Sequence, residues 1–512
     1  MLAALVLLTA LSVRLYNLSG QTLECDEFYT IPAATGHQYV YLSQEGDSAS
    51  NQVPRSTAEY KTLLAPDPNL GLGTITSVLR RNVHLPAYFF LMHYWVSWFG
   101  TTEFTLRLPS VCFGALAAVM LFLLGRELFG LFSGLLSALL MALSPEQIYF
   151  SQQARMYPLL TLLAITSTYL LVLIQRKPKK LLLLVSYALV SVLGLYCHYE
   201  YAFFLLGQVA FVWIFSKLGR ESYRTWLLLY GGIALAFLPW VINSFAQKRH
   251  SPEVIAWING HLTGNQVLIE GLTKLARLVS VPELPLGWLS TILAFALVIF
   301  GAVTLRSQRS KLWLLLLWII LPAAGIAIMD QILGTRALTI TRYWLIVGPP
   351  LLLLLGLGIV QIKQTAVSIA LAAVLIGFMF SAALLTARGE LRAKPDQHKE
   401  MSLYVDSQMA GNPNQIVIAE GLNALPLALA YYGKEDFEVL RYKWLADQMK
   451  TRSFADLIGA HSEVLLLVSG PSQAIRLLNE NGFQMEGQPL LYGHVNIAKF
   501  VQRGPSRTQN RR

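Results

Sequence analysis

Apolar stretches separated by short polar segments occupy most of the chain. Those close to the length that a helix needs to cross about 30 Å of hydrocarbon lie at residues 108–125, 158–174, 181–197, 201–216, 225–241, 286–305, 312–329, 343–360 and 366–386. Two shorter stretches, 1–13 and 131–143, are predicted to span as well. The pattern therefore predicts a polytopic α-helical membrane protein with about eleven transmembrane helices.

Two segments near the start of the chain leave the number of spans open. Residues 1–13 are short, lack a basic flank and are followed by no small-residue cleavage site, which favours an uncleaved anchor over a signal peptide. The true start of the protein can lie upstream of this stretch. Residues 85–99 are predicted to be re-entrant or interfacial. If they cross, or if a further span is present, the total rises to about twelve or thirteen.

Basic residues in the connecting segments indicate the orientation. Clusters at 176–180, 217–224 and 306–311, together with Arg126 and Lys363, fall on one side if the apolar stretches alternate across the membrane. By the positive-inside rule this side is cytoplasmic. The segments predicted to lie outside are then 14–107, 144–157, 198–200, 242–285, 330–342 and everything after 387.

The chain becomes polar and nearly balanced in charge near Arg388. Short β-like runs at 415–419, 437–440, 463–468 and 495–501 alternate with helical patterns such as 424–432 and 472–479. Alternating strands and helices predict a small α/β domain. We therefore expect a transmembrane domain over 1–387 that includes the outer loop 14–107, a non-cytoplasmic α/β domain over 388–503, and a disordered basic tail over 504–512.

Composition agrees with a membrane protein and narrows its partners. Hydrophobic residues make up 54% and charged residues 13% of the chain, and the mean hydropathy is +0.50, values that exclude an ordinary soluble enzyme. The formal charge of +11 arises partly in the connecting clusters, so it reflects orientation in the membrane rather than nucleic-acid binding. The cysteines, Cys25, Cys112 and Cys197, are too widely spaced for a disulfide framework or a CxxC site.

Polar and charged residues collect in the predicted outer segments. Asp26 and Glu27 follow the first apolar stretch and lie where a carboxylate is not forced into hydrocarbon. The other members of this outer set are Arg80, Arg81, His84, Glu103, Arg107, Gln152, Gln153, Arg155, Tyr157, His198, Glu200, Arg336, Arg342 and Tyr343. Arginines can bind a phosphate leaving group through two parallel bonds, and transfer from a sugar phosphate needs chiefly one base to activate the acceptor. This balance favours a phosphate-linked donor, with Asp26 as the candidate base.

Each of these residues also has a purely structural interpretation. An acid pair after a membrane helix is often a helix cap, and arginines at the membrane boundary often extend to lipid head groups. His84, His93 and His198 match no zinc motif and could be hydrogen-bonded interface residues. The aromatic run at 88–98 is typical of an interfacial belt, although it could also line a groove for a prenyl chain.

The order of the short motifs carries more information than any one of them. They are RLYNL at 14–18, DEFYT at 26–30, HLPAY at 84–88, EFTLRLPS at 103–110, LGRELFG at 124–130, LSP at 143–145, QQARMY at 152–157, LYCHY at 195–199 and TRY at 341–343. In this order the chain resembles the GT-C glycosyltransferases, specifically family 39 and the aminoarabinose-transferase-like group related to protein O-mannosyltransferases. The resemblance covers roughly the first 350 residues.

This resemblance implies a GT-C fold and an inverting transfer from a polyprenyl-phosphate-linked sugar on the outer face. Asp26 matches the aspartate that serves as the base in the family, and the adjacent Glu27 is the second predicted catalytic residue. The predicted contacts to the donor phosphate are Arg107, Arg155 and Arg342. The predicted substrate-binding residues are His84, Tyr157, His198 and Tyr343.

Two departures from the family pattern affect the local geometry. Leu85 separates His84 from Pro86, where the family often has proline directly after the histidine, and Cys25 stands beside the aspartate. Members of the family differ in their use of metal. A divalent metal ion is therefore left open as a cofactor.

The sequence predicts an integral-membrane glycosyltransferase of the cell membrane. It would transfer a sugar from a polyprenyl-phosphate donor to a lipid, polysaccharide or protein acceptor on the non-cytoplasmic face. Its partners are then the donor, the acceptor and membrane lipids, and not nucleic acid. The alternatives are a membrane transporter or lipid flippase, which would keep polar residues at the middle of the membrane, and a catalytically inactive GT-C-like scaffold.

Overall fold

The computed structural model describes residues 1–37, 56–67, 69–80, 84–176, 180–215, 220–248, 258–391, 396–421 and 424–502. Its α-helices are α1 (Leu2–Leu15), α2 (Cys25–Thr35), α3 (Thr57–Leu64), α4 (Leu72–Arg80), α5 (Pro86–Phe99), α6 (Glu103–Phe129), α7 (Leu131–Leu143), α8 (Pro145–Ser151), α9 (Tyr157–Arg176), α10 (Leu181–Cys197), α11 (Glu200–Phe215), α12 (Arg220–Lys248), α13 (Gly264–Val279), α14 (Gly287–Thr304), α15 (Arg309–Leu333), α16 (Gly348–Val360), α17 (Thr365–Ala387), α18 (His398–Met409), α19 (Leu425–Tyr432), α20 (Tyr442–Gln448), α21 (Phe454–Ile458) and α22 (Ala474–Glu480). Two 3₁₀ helices, Ala337–Thr339 and Thr341–Val347, precede α16.

Many of these helices are suited to a membrane. Seven segments are long and apolar enough to cross one, namely Glu103–Phe129, Tyr157–Arg176, Tyr223–Asn243, Gly287–Thr304, Arg309–Leu333, Thr341–Val360 and Thr365–Ala387. A pair bent by 57°, α7 with α8, can form an eighth span, and α1, α10 and α11 are shorter apolar helices. Within the described ranges, each predicted apolar stretch thus falls on a helix, and the prediction of a polytopic helical membrane protein is confirmed.

The chain divides into two compact units. The first unit comprises Met1–Gln21, Leu79–Met92 and Phe104–Leu391. The second comprises Thr22–Val78, His93–Glu103 and Arg392–Arg512. The second unit therefore joins the C-terminal region to two parts of the predicted outer loop.

Helix α16 forms the centre of the first unit. Its residues from Gly348 to Ile359 are buried, as expected for a helix that is apolar on all sides. Glycine permits its close approach to α14, because a Cβ atom at Gly358 would collide with the carbonyl oxygen of Leu297. The apolar stretch predicted at 343–360 is thus long and apolar enough to cross a membrane, and it is the most buried of the seven such segments in the part of the chain that the structure describes.

The break between α7 and α8 falls at Ser144. Pro145 has no backbone N–H and disfavours helical backbone in the residue before it, and Ser144 is accordingly extended, with φ −64° and ψ 119°. Because the helix stops there, carbonyl oxygens at the end of α7 can accept hydrogen bonds from a side chain. Arg14 provides the donors: its Nη1 donates to the oxygen of Ala142 at 2.8 Å and its Nη2 to that of Met141 at 3.3 Å.

A five-stranded sheet organises the C-terminal part of the second unit. Its strands are β1 (Gln415–Glu420), β2 (Val439–Arg441), β3 (Glu463–Val468), β4 (Phe483–Tyr492) and β5 (Val495–Gln502). The strand order is β2-β1-β3-β5-β4. Strands β1, β2 and β3 pair in parallel, whereas β5 is antiparallel to both β3 and β4. The core beside the sheet contains Ile418, Leu466, Phe483 and Phe500.

The predicted small α/β region is therefore present, with one strand that the pattern did not indicate. Strand β4 contains Gly487 and Pro489 and is exposed along nearly all of its length. Its register with β5 shifts between Glu486 and Leu490. A strand without a buried face has no alternating pattern to detect. The predicted basic tail at 504–512 lies outside the described residues.

Candidate active site

The predicted base lies in the first turn of α2, in the second unit. Asp26 is half-buried there. Glu27 is fully buried, and its Oε2 accepts the backbone N–H of Glu24 at 3.0 Å, one half of a capping box. The side chain of Glu27 thus helps to start the helix on which Asp26 is carried.

Residues from the C-terminal region hold this helix within the second unit. The hydroxyl of Tyr432 accepts the N–H of Leu23 at 2.8 Å. Nδ1 of His398 lies 3.0 Å from the carbonyl oxygen of Leu23. Asp396 Oδ2 accepts the N–H of Cys25 at 3.2 Å. The ring of Phe28 meets His398 edge to face at 5.4 Å. Sequence reasoning missed these contacts, since no local signal links positions almost four hundred residues apart.

The QQARMY motif forms the turn between α8 and α9, in the first unit. Gln152 Nε2 donates to the carbonyl oxygens of Arg14 and Tyr16, each at 3.0 Å. Ser110 Oγ donates to the oxygen of Arg155 at 2.9 Å. The motifs at 14–18, 103–110 and 152–157 are therefore joined by hydrogen bonds that fix the backbone of Arg155.

Arg107 is buried against backbone oxygens of the first unit. It is 1% exposed, and its Nη1 donates to the carbonyl oxygens of Leu18 at 2.8 Å and Gln21 at 2.9 Å. These bonds hold the segment that follows α1. The contact from Arg107 to the donor phosphate that the sequence predicts is not tested by these bonds, which favour a structural role for this side chain.

Arg155 begins a cluster of aromatic and titratable side chains. Its guanidinium carbon lies 6.0 Å from the ring centre of Tyr157, and Nη2 lies 3.5 Å from Nε2 of His84. The His84 ring stacks on Phe89, with 5.3 Å between ring centres. The centre of the Tyr157 ring is also 5.7 Å from that of the His198 ring.

The cluster continues to the TRY motif before α16. The rings of His198 and Tyr343 are 5.8 Å apart. Arg342 places its guanidinium carbon 5.5 Å from the centre of the Tyr343 ring and hydrogen-bonds the hydroxyl of that tyrosine. The structure thus brings together six of the predicted site residues, namely His84, Arg155, Tyr157, His198, Arg342 and Tyr343.

His198 is neutral within this cluster. Burial, reinforced by the positive charges of Arg155 and Arg342, lowers the pKa of His198 to about 3. Its Nδ1 accepts the backbone N–H of Glu200 at 3.3 Å, so the ring hydrogen is on Nε2. His198 can therefore offer one N–H donor to a bound molecule.

Metal binding has no clear ligand set here. No group of three or more histidine, cysteine, aspartate or glutamate side chains in the described ranges could hold a metal ion. The chemistry that the cluster itself supports is anion binding, because two guanidinium groups lie beside neutral aromatic rings.

Comparison with known proteins agrees with the fold. A sequence model for a family described as dolichyl-phosphate-mannose-protein mannosyltransferase matches residues 83–243. This range contains His84, Arg107, Arg155, Tyr157 and His198. No curated protein sequence gives a match.

Solved structures share the architecture at low sequence identity. The crystal structure of ArnT from Cupriavidus metallidurans bound to undecaprenyl phosphate superimposes with a TM-score of 0.59 at 11% identity over 97% of each chain. The apo form of the same protein gives 0.60 at 12% identity and the same coverage. Archaeal oligosaccharyltransferase AglB from Archaeoglobus fulgidus, in complex with an inhibitory peptide and a dolichol-phosphate, gives 0.50 at 12% identity, over 91% of this chain and 69% of that chain.

Helix content, the C-terminal sheet and these similarities agree with one another. The resemblance that the ordered motifs indicated is confirmed, and the chain is a multi-span membrane protein with the GT-C glycosyltransferase fold.

Proposed function

We propose that the protein is a glycosyltransferase that moves a sugar from a polyprenyl-phosphate carrier to an acceptor on the non-cytoplasmic face. The observation that carries this proposal is the cluster of Arg155 and Arg342 around Tyr157, His198 and Tyr343. Membrane-boundary anchors extend to lipid head groups, whereas Arg155 is 3% exposed in this unit. Two guanidinium groups beside neutral aromatic rings are suited to a ligand of opposite charge.

A phosphate fits the cluster chemically. Each guanidinium presents several N–H donors in a plane, matched to two phosphate oxygens, and Nε2 of neutral His198 adds a further donor. Negative charge grows on the phosphate oxygen as its bond to the sugar breaks. Arg155 and Arg342 would stabilise that charge in the transition state.

The similar structures support a lipid-linked phosphate in particular. ArnT from Cupriavidus metallidurans was solved with undecaprenyl phosphate, and AglB from Archaeoglobus fulgidus with a dolichol-phosphate. Both ligands are polyprenyl phosphates. This protein has the same fold and places Arg155 and Arg342 in its first unit. It would therefore use the same class of carrier.

We assign the role of general base to Asp26. Its carboxylate would take the proton from the nucleophilic oxygen or nitrogen of the acceptor as that atom attacks the anomeric carbon. The bond from this carbon to the phosphate oxygen breaks at the same time, and the electron pair leaves with the polyprenyl phosphate. Inversion at the anomeric carbon follows from a single displacement, and no second carboxyl acid is required because phosphate leaves as an anion.

The face of the membrane can be tested independently of the chemistry. The basic connecting segments favour a non-cytoplasmic C-terminal region. Alkaline phosphatase fused after Phe500 should then be active in a bacterial host. An inactive phosphatase paired with a fluorescent protein that folds in the cytoplasm would reverse the proposed orientation.

The function itself is tested first with a deletion strain. Polyprenyl-phosphate sugars extracted from it should include one that accumulates relative to the parent strain. Purified protein in nanodiscs, supplied with that lipid and with an acceptor isolated from the deletion strain, should transfer the sugar to the acceptor and release polyprenyl phosphate. The Asp26→Asn variant should do so about 100- to 10,000-fold more slowly. Unchanged lipid pools, together with no binding of undecaprenyl phosphate by the purified protein, would overturn the proposal.

A further inference from the structure

Glu200 carries a buried carboxyl group that the mechanism above does not use. It is the first residue of α11, and the residue is 5% exposed. Neither Oε1 nor Oε2 has a hydrogen-bond partner among the described residues. Burial of an unpartnered carboxyl group is costly, and such groups in folded proteins usually have a partner. A partner that arrives with the substrate would account for its retention.

Neighbouring side chains do not satisfy these oxygens. Nδ1 of His198 lies 3.8 Å from Oε2, but this nitrogen already accepts the N–H of Glu200 and carries no hydrogen in the neutral ring. Burial raises the pKa of Glu200 well above its usual value, although the positive charge of Arg342 acts in the opposite direction. The carboxyl group is therefore held in its protonated form, and both its O–H donor and its carbonyl oxygen need partners.

The missing partner must therefore both donate and accept hydrogen bonds. The oxygens of a phosphate anion only accept, so a phosphate cannot satisfy the carbonyl oxygen of the acid. A sugar ring carries several hydroxyl groups, each of which donates and accepts, and these can satisfy both carboxyl oxygens. Glu200 lies beside the cluster, since Nδ1 of His198 is 3.8 Å from its Oε2 and the charge of Arg342 acts on the carboxyl group.

We infer that Glu200 binds hydroxyl groups of the sugar being transferred and so helps to determine which sugar the protein accepts. The inference rests on the proposed glycosyltransferase function and extends the same site. Glu200 is then a specificity residue, while Arg155 and Arg342 bind the phosphate that all donors share. A site that hydrogen-bonds a substrate hydroxyl discriminates strongly against a molecule that lacks it, because the polar group of the protein is then left unpaired.

The test separates sugar binding from phosphate binding. Full-length protein in nanodiscs is titrated with undecaprenyl phosphate and with undecaprenyl-phosphate glucose, galactose, mannose and arabinose. Wild-type protein should bind at least one sugar-bearing lipid more tightly than undecaprenyl phosphate itself. In Glu200→Leu this preference should fall by about 10- to 100-fold, because a sugar hydroxyl is left without its partner, while affinity for undecaprenyl phosphate stays unchanged.

A stability measurement distinguishes this role from a structural one. Because the carboxyl is unpartnered without ligand, Glu200→Leu should melt at the same temperature as wild type or higher. Glu127→Leu is the matched control, since Glu127 pairs with Arg176 at the far end of α9 from Tyr157. This control should keep the wild-type sugar preference. Glu200→Gln keeps a hydrogen-bond donor and an acceptor at this position and should retain part of the preference.

Three results would overturn the inference. They are a folded Glu200→Leu variant with full sugar preference, equal weakening of this variant toward undecaprenyl phosphate and the sugar-bearing lipids, and failure of this variant to fold. Failure of the proposed function looks different. In that case the wild-type protein shows no preference for any sugar-bearing lipid and no turnover of the lipid that accumulates in the deletion strain.

Discussion

Arg107 and Arg155 belong to neighbouring motifs, and both are almost completely buried, yet their surroundings differ in kind. Arg107 donates to two backbone carbonyl oxygens of one segment. Arg155 lies beside the ring of Tyr157 and Nε2 of His84. The contacts described for Arg107 are thus with the backbone, whereas those described for Arg155 are with side-chain rings. Motif membership alone therefore does not assign a role.

The same contrast holds for the two adjacent acids of α2, considered within the second unit. Glu27 is buried, and its carboxylate accepts the N–H of Glu24. Asp26 is half-buried and is not part of that capping interaction. We therefore expect the carboxylate of Glu27 to contribute to helix formation and that of Asp26 to contribute to catalysis.

Replacement of the proposed base should have the largest effect. Asp26→Asn keeps the shape of the side chain and removes its ability to take a proton, so transfer should slow by about 100- to 10,000-fold. Turnover in nanodiscs, with donor binding measured in parallel, checks this. Glu27→Gln is the control and should lower the melting temperature while retaining most activity. Full turnover by folded Asp26→Asn would mean that another group is the base.

Replacement of Arg107 should lower the stability of the protein more than its activity. Arg107→Ala leaves the carbonyl oxygens of Leu18 and Gln21 without this donor, at a cost of about 1 to 3 kcal/mol for each group. Reduced yield and a lower melting temperature in detergent should result, with the affinity of the remaining folded protein for undecaprenyl phosphate near that of wild type. A stable variant that has lost phosphate affinity would instead place Arg107 in the binding site.

The cluster arginines should show the opposite pattern. Arg155→Ala or Arg342→Ala removes a charged hydrogen-bonding group, worth about 1.5 to 3 kcal/mol, and the change should appear in donor use rather than in folding. Arg→Lys at either position should restore little, because an ammonium group cannot reproduce the planar pair of bonds. Donor turnover and melting curves for all of these variants provide the check. Unaltered turnover in both alanine variants would make these arginines structural.

A smaller effect concerns the pH dependence of stability. The pKa of His198 is about 3 in the folded protein and about 6.5 in an unfolded chain. Between these values the unfolded chain binds more protons, so the contribution of His198 is fully present above about pH 6.5 and is lost as the pH falls toward 3. The slope from this residue is at most about 1.4 kcal/mol per pH unit. Between about pH 7 and pH 5 the melting temperature should change less with pH for His198→Asn than for wild type. Identical slopes would contradict a buried neutral histidine.

Periodicity and motifs in the sequence predicted much of this structure. The apolar stretches correspond to helices because hydrocarbon requires long apolar segments, and most strands of the C-terminal sheet are apolar runs with buried residues. The grouping of Tyr157, His198 and Tyr343 was also anticipated, since they belong to ordered motifs in segments assigned to one side. Strand β4 was not, because its exposed residues carry no pattern.

Side-chain environment was the part that sequence could not supply. The backbone contacts of Arg107 and the unpartnered oxygens of Glu200 depend on packing between elements distant in the chain. The contacts of His398 and Tyr432 with Leu23 are of the same kind. A residue type and its neighbours in sequence do not determine whether carbonyl oxygens, rings or nothing will surround it after folding.

The contacts of Leu23 have a consequence for the synthesis of the protein. Leu23 emerges from the ribosome early, whereas the hydroxyl group that accepts its N–H belongs to Tyr432, 409 positions later. The start of α2, which carries Asp26, therefore cannot reach its final hydrogen bonding until the ribosome has translated the chain past Tyr432. A ribosome that stalls before this point would leave an inserted protein without these bonds. Order of synthesis thus provides a check, because only chains that extend past Tyr432 assemble the surroundings of the proposed base.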